Sequence, residues 1–169
     1  MKKVYMLGMV LTLAACFAYA ASLSVPWYMD NTAVPGKLPP TQTGVLGLVY
    51  LHNNLPTDVV CEIAYYTQEG LLLDFAEGQS NTFEIAAMSS VAFRPAVSDP
   101  ISNGGQEADP AMAVPNRPTN DGKKNGSIVV SWTTGGLNDV QGIVLQTQNV
   151  GGGLTARLLQ WGTLLPPGS

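Results

Sequence analysis

Short blocks in which apolar and polar residues alternate, separated by Gly, Pro, Asn and Asp, constrain the fold of this chain more than any other feature. Alternation with a period of two places every second side chain on one face of an extended strand, and no segment after residue 20 keeps helical spacing for three turns. The sequence therefore predicts an all-β fold. The predicted strands are residues 45–52, 58–67, 71–75, 82–86, 91–94, 127–132, 139–148 and 154–161.

Most connections between these blocks have the length and the residues of hairpin turns. Residues 53–56, 68–70 and 150–153 each supply Gly or Asn where the backbone needs a positive φ. Consecutive strands are then expected to be antiparallel neighbours. About eight short strands with this spacing predict a two-sheet antiparallel sandwich of the immunoglobulin-like type, with a partly closed barrel as the nearest alternative.

Two proline-rich regions interrupt the pattern and set the domain boundaries. Residues 21–42 contain four prolines, which lack the N–H donor that a central strand needs, so they are expected to form an extended arm or an edge segment. Residues 95–126 contain five more, and an irregular loop of this length is usually either functional or disordered. The predicted organisation is a signal peptide at 1–20, the arm at 21–42 and a sandwich domain at 43–165 that carries the loop 95–126.

The amino-terminal residues have the three parts of an export signal. Lys2 and Lys3 are followed by an apolar run at 4–15 and then by small residues. Cleavage after Ala20 would release a soluble chain, whereas cleavage before Cys16 would attach lipid to that cysteine. We favour the first site, because the residues after Cys16 are apolar rather than a polar tether. The chain is expected to be secreted, periplasmic or at the cell surface, and to contact a membrane only if Cys16 is lipidated.

The charge balance and the cysteine count exclude several classes of partner and of cross-link. The formal net charge is -4 at pH 7, and it becomes more negative when Lys2 and Lys3 are removed. An acidic chain repels phosphate backbones and anionic lipid surfaces, so nucleic-acid binding is not expected. Only Cys61 follows the preferred cleavage site, which leaves no partner for an intramolecular disulfide. Cys61 lies on the apolar face of its predicted strand and is expected in the core.

The residue types needed for catalysis are scarce, and an enzyme is not expected. His52 is the only histidine, and it ends a predicted strand beside a turn, where a surface position is the ordinary outcome. A buried thiol at Cys61 is a poor nucleophile, and the chain has no Gly-x-Ser-x-Gly motif. The carboxylates of Glu62, Asp74 and Glu84 fit the solvent side of alternating strands better than a paired acid and base.

Metal and cofactor sites are likewise not expected. One histidine and one cysteine cannot fill a tetrahedral zinc site. Calcium is the alternative left open, because the long loop carries oxygen ligands, although their spacing matches neither an EF-hand nor a glycine-aspartate repeat. These acidic residues are Asp99, Glu107, Asp109 and Asp121. The glycines at 151–153 lack the Lys-Ser/Thr of a phosphate-binding loop and fit a hairpin turn.

Three tryptophans are the candidate binding residues. Trp27 lies in the predicted arm, Trp132 ends one predicted strand and Trp161 ends the last one. At such positions a large ring can be half exposed, and exposed rings stack on sugars or anchor a protein partner. The alternative is that all three fill the core of the sandwich.

In its strand spacing and export signal, the chain resembles small secreted bacterial β-sandwich proteins of the immunoglobulin-like type. The apolar residues of the arm and of the last strand need cover, which comes either from the edges of their own sheets or from a neighbouring subunit. We therefore expect a secreted or cell-envelope, non-enzymatic structural or adhesive protein, which acts through sheet edges and loops on protein subunits or cell-surface components. The alternative is a carbohydrate-binding module that presents exposed tryptophans to glycans.

Overall fold

The computed structural model describes residues 21–30, 44–97, 114–118, 125–133, 136–149 and 156–164. Within these segments the chain forms eight strands and no helix, which confirms the all-β prediction. The strands are β1 (Ala21–Met29), β2 (Gly44–Asn53), β3 (Val59–Thr67), β4 (Thr82–Ile85), β5 (Ser90–Phe93), β6 (Asn125–Trp132), β7 (Val140–Asn149) and β8 (Ala156–Thr163). The predicted signal peptide, residues 31–42 of the arm, and residues 98–113 and 119–124 of the long loop lie outside the described residues. Among the described residues, no helix is long and apolar enough to cross a membrane.

The strands form two four-stranded sheets in which all neighbours are antiparallel. Sheet A has the order β1-β6-β3-β4, and sheet B has the order β5-β2-β7-β8. The prediction of a two-sheet antiparallel sandwich is therefore confirmed. The edges are β1 and β4 in sheet A, and β5 and β8 in sheet B.

The core lies between the sheets and is built from alternate side chains of each strand. In β3 the alternation is unbroken, so that Val59, Cys61, Ile63 and Tyr65 are buried while the residues between them face outward. Sheet B contributes six buried apolar residues, which are Val49, Leu51, Val91, Phe93, Val140 and Val144. Each large side chain removed from water in this way contributes roughly 1.5–3 kcal/mol, and this burial holds the fold together without a disulfide.

The connections agree with the predicted hairpins only in part. β3 and β4 are antiparallel neighbours, as are β7 and β8, but β2 and β3 belong to different sheets. The prediction of a hairpin at residues 53–56 is therefore wrong, since residues 54–58 carry the chain from sheet B to sheet A. Asn and Pro suit either connection, because they determine the local backbone conformation and not the sheet that the next strand joins. The predicted turn at 150–153 lies outside the described residues.

Residues 71–75 do not form the predicted strand. The turn before them forms as expected, with Gly70 at a φ of 83°. Beyond it, however, only one bridge forms, between Tyr66 and Leu72. Leu71 and Leu72 are 66% and 53% exposed. This segment has no continuous buried face, and without one the alternation of its residues does not hold it in the sheet.

The first part of the predicted arm is a regular strand at the edge of sheet A. β1 pairs with β6, and its Ala21, Leu23 and Val25 point into the core. The register shifts between Val25 and Tyr28, and Pro26 lies within this irregularity. A proline costs little there, because an edge strand with a bulge does not need every N–H for the ladder.

Candidate binding surface

The two sheets differ in the chemistry of their outer faces. The outer face of sheet A is mainly small and polar, although it also carries Tyr66 and Val60, of which Val60 is 57% exposed. One row across its four strands pairs Ser22, Ser131, Glu62 and Thr82 in register. Val129 lies in the next row beside Ser24. A polar outer face is typical of an antiparallel sheet with one side in solvent.

The outer face of sheet B is mainly apolar. Because Val49, Leu51 and Val144 point into the core, the residues between them point to the opposite side of the sheet. The pairing of β2, β7 and β8 brings six of these outward residues together, and we call them the apolar face: Leu46, Leu48, Tyr50, Ile143, Leu145 and Trp161.

The apolar face is open towards the β8 edge. Trp161 is 69% exposed and Ile143 is 43% exposed, whereas Leu46 and Leu48 are buried. Trp161 is paired with Leu145, and it lies on an edge strand whose second side has no strand neighbour among the described residues. Exposed aromatic and aliphatic side chains that are contiguous mark interaction surfaces more often than isolated ones do.

A polar cluster borders the apolar face at the end of β2. His52 Nδ1 lies 2.8 Å from Ser90 Oγ, and Gln141 Nε2 donates a hydrogen bond to Asn54 Oδ1 at 3.2 Å. Tyr50, His52, Ser90 and Gln141 line a shallow depression of about 600 Å³. Burial raises the pKa of the Tyr50 hydroxyl. The depression thus places hydrogen-bonding groups beside an apolar surface.

The three tryptophans singled out from the sequence do not share a surface. Trp132 is 2% exposed, and its Nε1 donates to the carbonyl oxygen of Gly136 at 3.3 Å, so this ring fills the core and has no face to offer a ligand. Trp27 is 41% exposed and belongs to β1 in sheet A, whereas Trp161 belongs to sheet B. Of the three, only Trp161 is part of the apolar face.

Sequence reasoning missed the residues that surround Trp161. Tyr50 belongs to the run Val-Leu-Gly-Leu-Val-Tyr-Leu at 45–51, and Ile143 and Leu145 belong to a similar run in β7. A strand with apolar side chains on both faces indicates that both faces of its sheet are buried. A strand in which apolar and polar side chains alternate indicates that only one face is buried. The continuous apolar runs in β2 and β7 therefore predict a second apolar surface, on the outer face of sheet B.

The residues considered for catalysis are dispersed over the two sheets. His52 lies on β2 in sheet B, while Cys61 and Glu62 lie on β3 in sheet A. Cys61 is fully buried, and this burial raises the pKa of its thiol to about 12. Glu84 is paired with Val60 at the β4 edge, and Asp74 is exposed beyond β3.

The residues considered for metal or lipid attachment lie mostly outside the described segments. Cys16, Asp99, Glu107, Asp109 and Asp121 are not among the described residues. In the segments that are described, no group of three or more His, Cys, Asp or Glu side chains comes together in a way that could hold a metal ion.

A second depression, of about 770 Å³, lies where residues 114–118 cross the end of sheet A. Tyr65 donates its hydroxyl hydrogen to the carbonyl oxygen of Pro115 at 2.9 Å, and the backbone N–H of Arg117 donates to Ala96 at 3.1 Å. The Arg117 side chain is 2% exposed, and its Nη2 reaches the carbonyl oxygen of Asn125. These contacts fasten the end of the long loop to the sandwich.

Comparisons of the chain with protein-family models, with curated proteins and with solved structures find no match.

Proposed function

We propose that this chain is an exported, non-enzymatic structural or adhesive protein, which binds protein subunits or cell-surface components through the apolar face and the adjoining β8 edge. The observation that supports this proposal is the difference between the two outer faces. The outer face of sheet A is mainly serine, threonine and glutamate, with Val60 as an exposed apolar residue, while the outer face of sheet B presents the larger side chains of Trp161, Ile143 and Tyr50. A central aromatic and aliphatic patch with a polar rim is the usual anatomy of a protein interface.

The immunoglobulin-like class of sandwich is part of this proposal. β2 pairs with β5 in one sheet, β3 pairs with β6 in the other, and the connections at 54–58 and 86–89 pass between the sheets. Interlocked pairs of this kind are found in Greek-key sandwiches. The proposed location, outside the cytoplasm, is supported by the sequence of residues 1–20, and mass spectrometry of the mature amino terminus distinguishes cleavage after Ala20 from lipid attachment at Cys16.

Site-specific cross-linking in intact cells tests which face binds a partner. A photoreactive amino acid is placed at Ile143 or Trp161 on sheet B, and at Thr82 or Glu84 on sheet A as matched controls, because both controls lie on the exposed side of β4, away from β1 and β6. We expect discrete cross-linked products from the two sheet B positions and none from the controls. Products from the sheet A positions alone, or equal products from all four, would contradict the proposal.

A second function is favoured by one specific observation, the polar cluster beside the apolar face. Sugar rings stack on aromatic side chains while their hydroxyls form hydrogen bonds. The depression groups Ser90, Gln141 and His52 with Tyr50, and Trp161 lies on the same face of sheet B outside the depression. A glycan array tests carbohydrate binding with the mature chain and with Trp161→Ala. Hits that disappear in the variant support it, and an array without hits removes this second function.

A further inference from the structure

We propose that β1 is exchanged between copies of this chain, so that the first strand of one copy pairs with β6 of another. This inference rests on the proposed structural role and names the partner, a second copy, and the element that joins the two copies. It concerns the β1 edge of sheet A, whereas the binding surface described above lies on sheet B.

The first ground is the position of β1 in the fold and in the chain. Among the described residues, β1 has one strand neighbour, β6, and pairs with it from Ala21↔Trp132 to Met29↔Asn125. With the preferred cleavage after Ala20, β1 is the first segment of the mature chain. A terminal edge strand can leave its sheet and enter another without passing the chain through a loop.

The second ground is how much of the core β1 supplies. Ala21, Leu23, Val25 and Tyr28 are all at most 4% exposed. When β1 leaves the sheet, these four side chains and the hydrogen-bonding edge of β6 become exposed to water. The groove that β1 leaves beside β6 then needs a strand with the same pattern of apolar side chains to fill it. An exchanged β1 restores every contact, so closed and exchanged forms differ little in contact energy, and protein concentration decides between them.

The third ground makes the groove specific for β1. The groove accepts apolar side chains at alternate positions and then one extra residue at the register shift, where Pro26 and Trp27 together lie opposite Ser127. At its far end, Arg94 holds the carboxylate of Asp30 in a buried ion pair. An occupant of the groove therefore needs alternating apolar side chains, a bulge at the same place and a side-chain carboxylate directly after the strand. Residues 21–30 of the chain itself have all three.

The fourth ground is the length of the linker. Residues 31–43 join β1 to β2, and they lie outside the described residues. In the closed form the two strands are close together, because a Cβ built on Gly47 lies 3.2 Å from the carbonyl oxygen of Met29. An extended chain as long as 31–43 reaches about 40 Å. The linker is thus long enough for β1 to reach a neighbouring copy.

Disulfide trapping between two different single-cysteine chains tests the exchange. In a Cys61→Ala background, one chain carries Ser24→Cys on β1 and the other carries Val129→Cys on β6, at positions that face each other in register. The two mature chains are mixed, warmed to just below the melting temperature, cooled and oxidised. We expect a disulfide-linked species with one copy of each chain. The control replaces the second chain with Glu84→Cys on β4, at the opposite edge of sheet A, and is expected to give no such species.

The trapping result decides the proposal. If the mixed chains give no more product than the control while a chain with both cysteines closes its own disulfide, the exchange does not occur. Asp30→Asn removes the negative charge of the ion pair that holds β1, and it is expected to speed trapping at least several-fold. Size measurement of the unmodified mature chain is independent of all variants. A dimer that persists on dilution after warming supports exchange, and a strict monomer at high concentration overturns it.

Failure of this inference is distinguishable from failure of the proposed function. The cross-links at Ile143 and Trp161 report the apolar face, and the disulfide reports the pairing of β1 with β6. Either result can be negative while the other is positive.

Discussion

The carboxylate of Asp30 accepts two hydrogen bonds from the guanidinium group of Arg94, one from Nε and one from Nη2. Asp30 directly follows β1 in sheet A, and Arg94 directly follows β5 in sheet B. Both side chains are only 3% exposed. The bidentate ion pair therefore joins the two sheets at one end of the sandwich and fixes the end of the edge strand β1.

Loss of one partner of this pair is expected to destabilise the fold strongly. Arg94→Ala leaves the buried carboxylate of Asp30 without its counter-ion, which lowers the free energy of unfolding by about 3–5 kcal/mol. Replacing both residues together, as Asp30→Leu with Arg94→Met, removes the charges as a pair and is expected to stay within about 2 kcal/mol of the wild type. Urea unfolding followed by fluorescence measures both. A double variant as unstable as the single one would contradict this account.

Asn53 is expected to be the most sensitive polar residue of the connections between sheets. It is fully buried, and its Nδ2 lies 2.8 Å from the carbonyl oxygen of Thr57 and 3.1 Å from those of Ile85 and Ala86. Its Oδ1 accepts the N–H of Leu55 at 2.9 Å. One side chain thus holds the connection after β2 against the connection after β4.

Asn53→Ala removes these hydrogen bonds and leaves buried carbonyl groups without donors. We expect a loss of about 2–4 kcal/mol in the free energy of unfolding, measured by urea denaturation. The neighbouring Asn54 is exposed and serves as the matched control, with an expected loss below about 1 kcal/mol for Asn54→Ala. Equal losses in the two variants would show that burial of the amide does not matter.

The strands could be predicted from the sequence where the alternation of apolar and polar residues alone determines the local structure. Period-two alternation located seven of the eight strands, because one buried face fixes which side chains point inward. β1 was expected only as an arm or edge segment, since its proline obscured a strand whose ladder is interrupted by a bulge. The assignment of β2 and β3 to different sheets could not be predicted, because it depends on long-range packing and on contacts such as those of Asn53.

The candidate site could be predicted only in part, because the sequence does not show which aromatic side chains are buried and which are exposed. Trp161 was identified as a candidate for exposure, but Trp132 was identified by the same criterion and lies in the core. Residue type and position at a strand end do not determine which face of the sheet a ring occupies. Trp161 is paired with Leu145 on the preceding strand β7, whereas Tyr50 comes from β2, which is distant in sequence, and only the register of β2, β7 and β8 shows that these residues share one face.

Met88 is expected to lower stability through its backbone conformation. It has a φ of 55° in the connection between β4 and β5, and its side chain is 61% exposed. A residue with a Cβ pays roughly 1–2 kcal/mol for this left-handed conformation. Met88→Gly removes that cost without losing packing, and we expect a gain of about 0.5–1 kcal/mol and a melting temperature a few degrees higher.

The matched control for Met88 is Gly70, which has a φ of 83° and open space around its Cα. Gly70→Ala is expected to lower the melting temperature, because the same conformation is now imposed on a residue with a Cβ. Calorimetry of both variants measures whether the melting temperature rises for Met88→Gly and falls for Gly70→Ala. A shift in the same direction for both would mean that backbone strain is not the cause.

Cys61 is expected to be unreactive in the folded protein and to make stability fall in alkaline solution. Burial raises the pKa of its thiol to about 12 from an ordinary value of 9.0. Between these two values the unfolded chain releases the proton while the folded chain keeps it, so the free energy of unfolding falls as pH rises from 9 to 12 and is unaffected by this group below 9. Cys61→Ala lacks this titration, and its stability is expected to depend less on pH in that window.

The burial of Cys61 is also expected to protect its thiol from reagents. At pH 8 an aromatic disulfide reagent is expected to label the thiol in urea and not in the native state. Labelling of the native chain as fast as the unfolded chain would show that Cys61 is accessible.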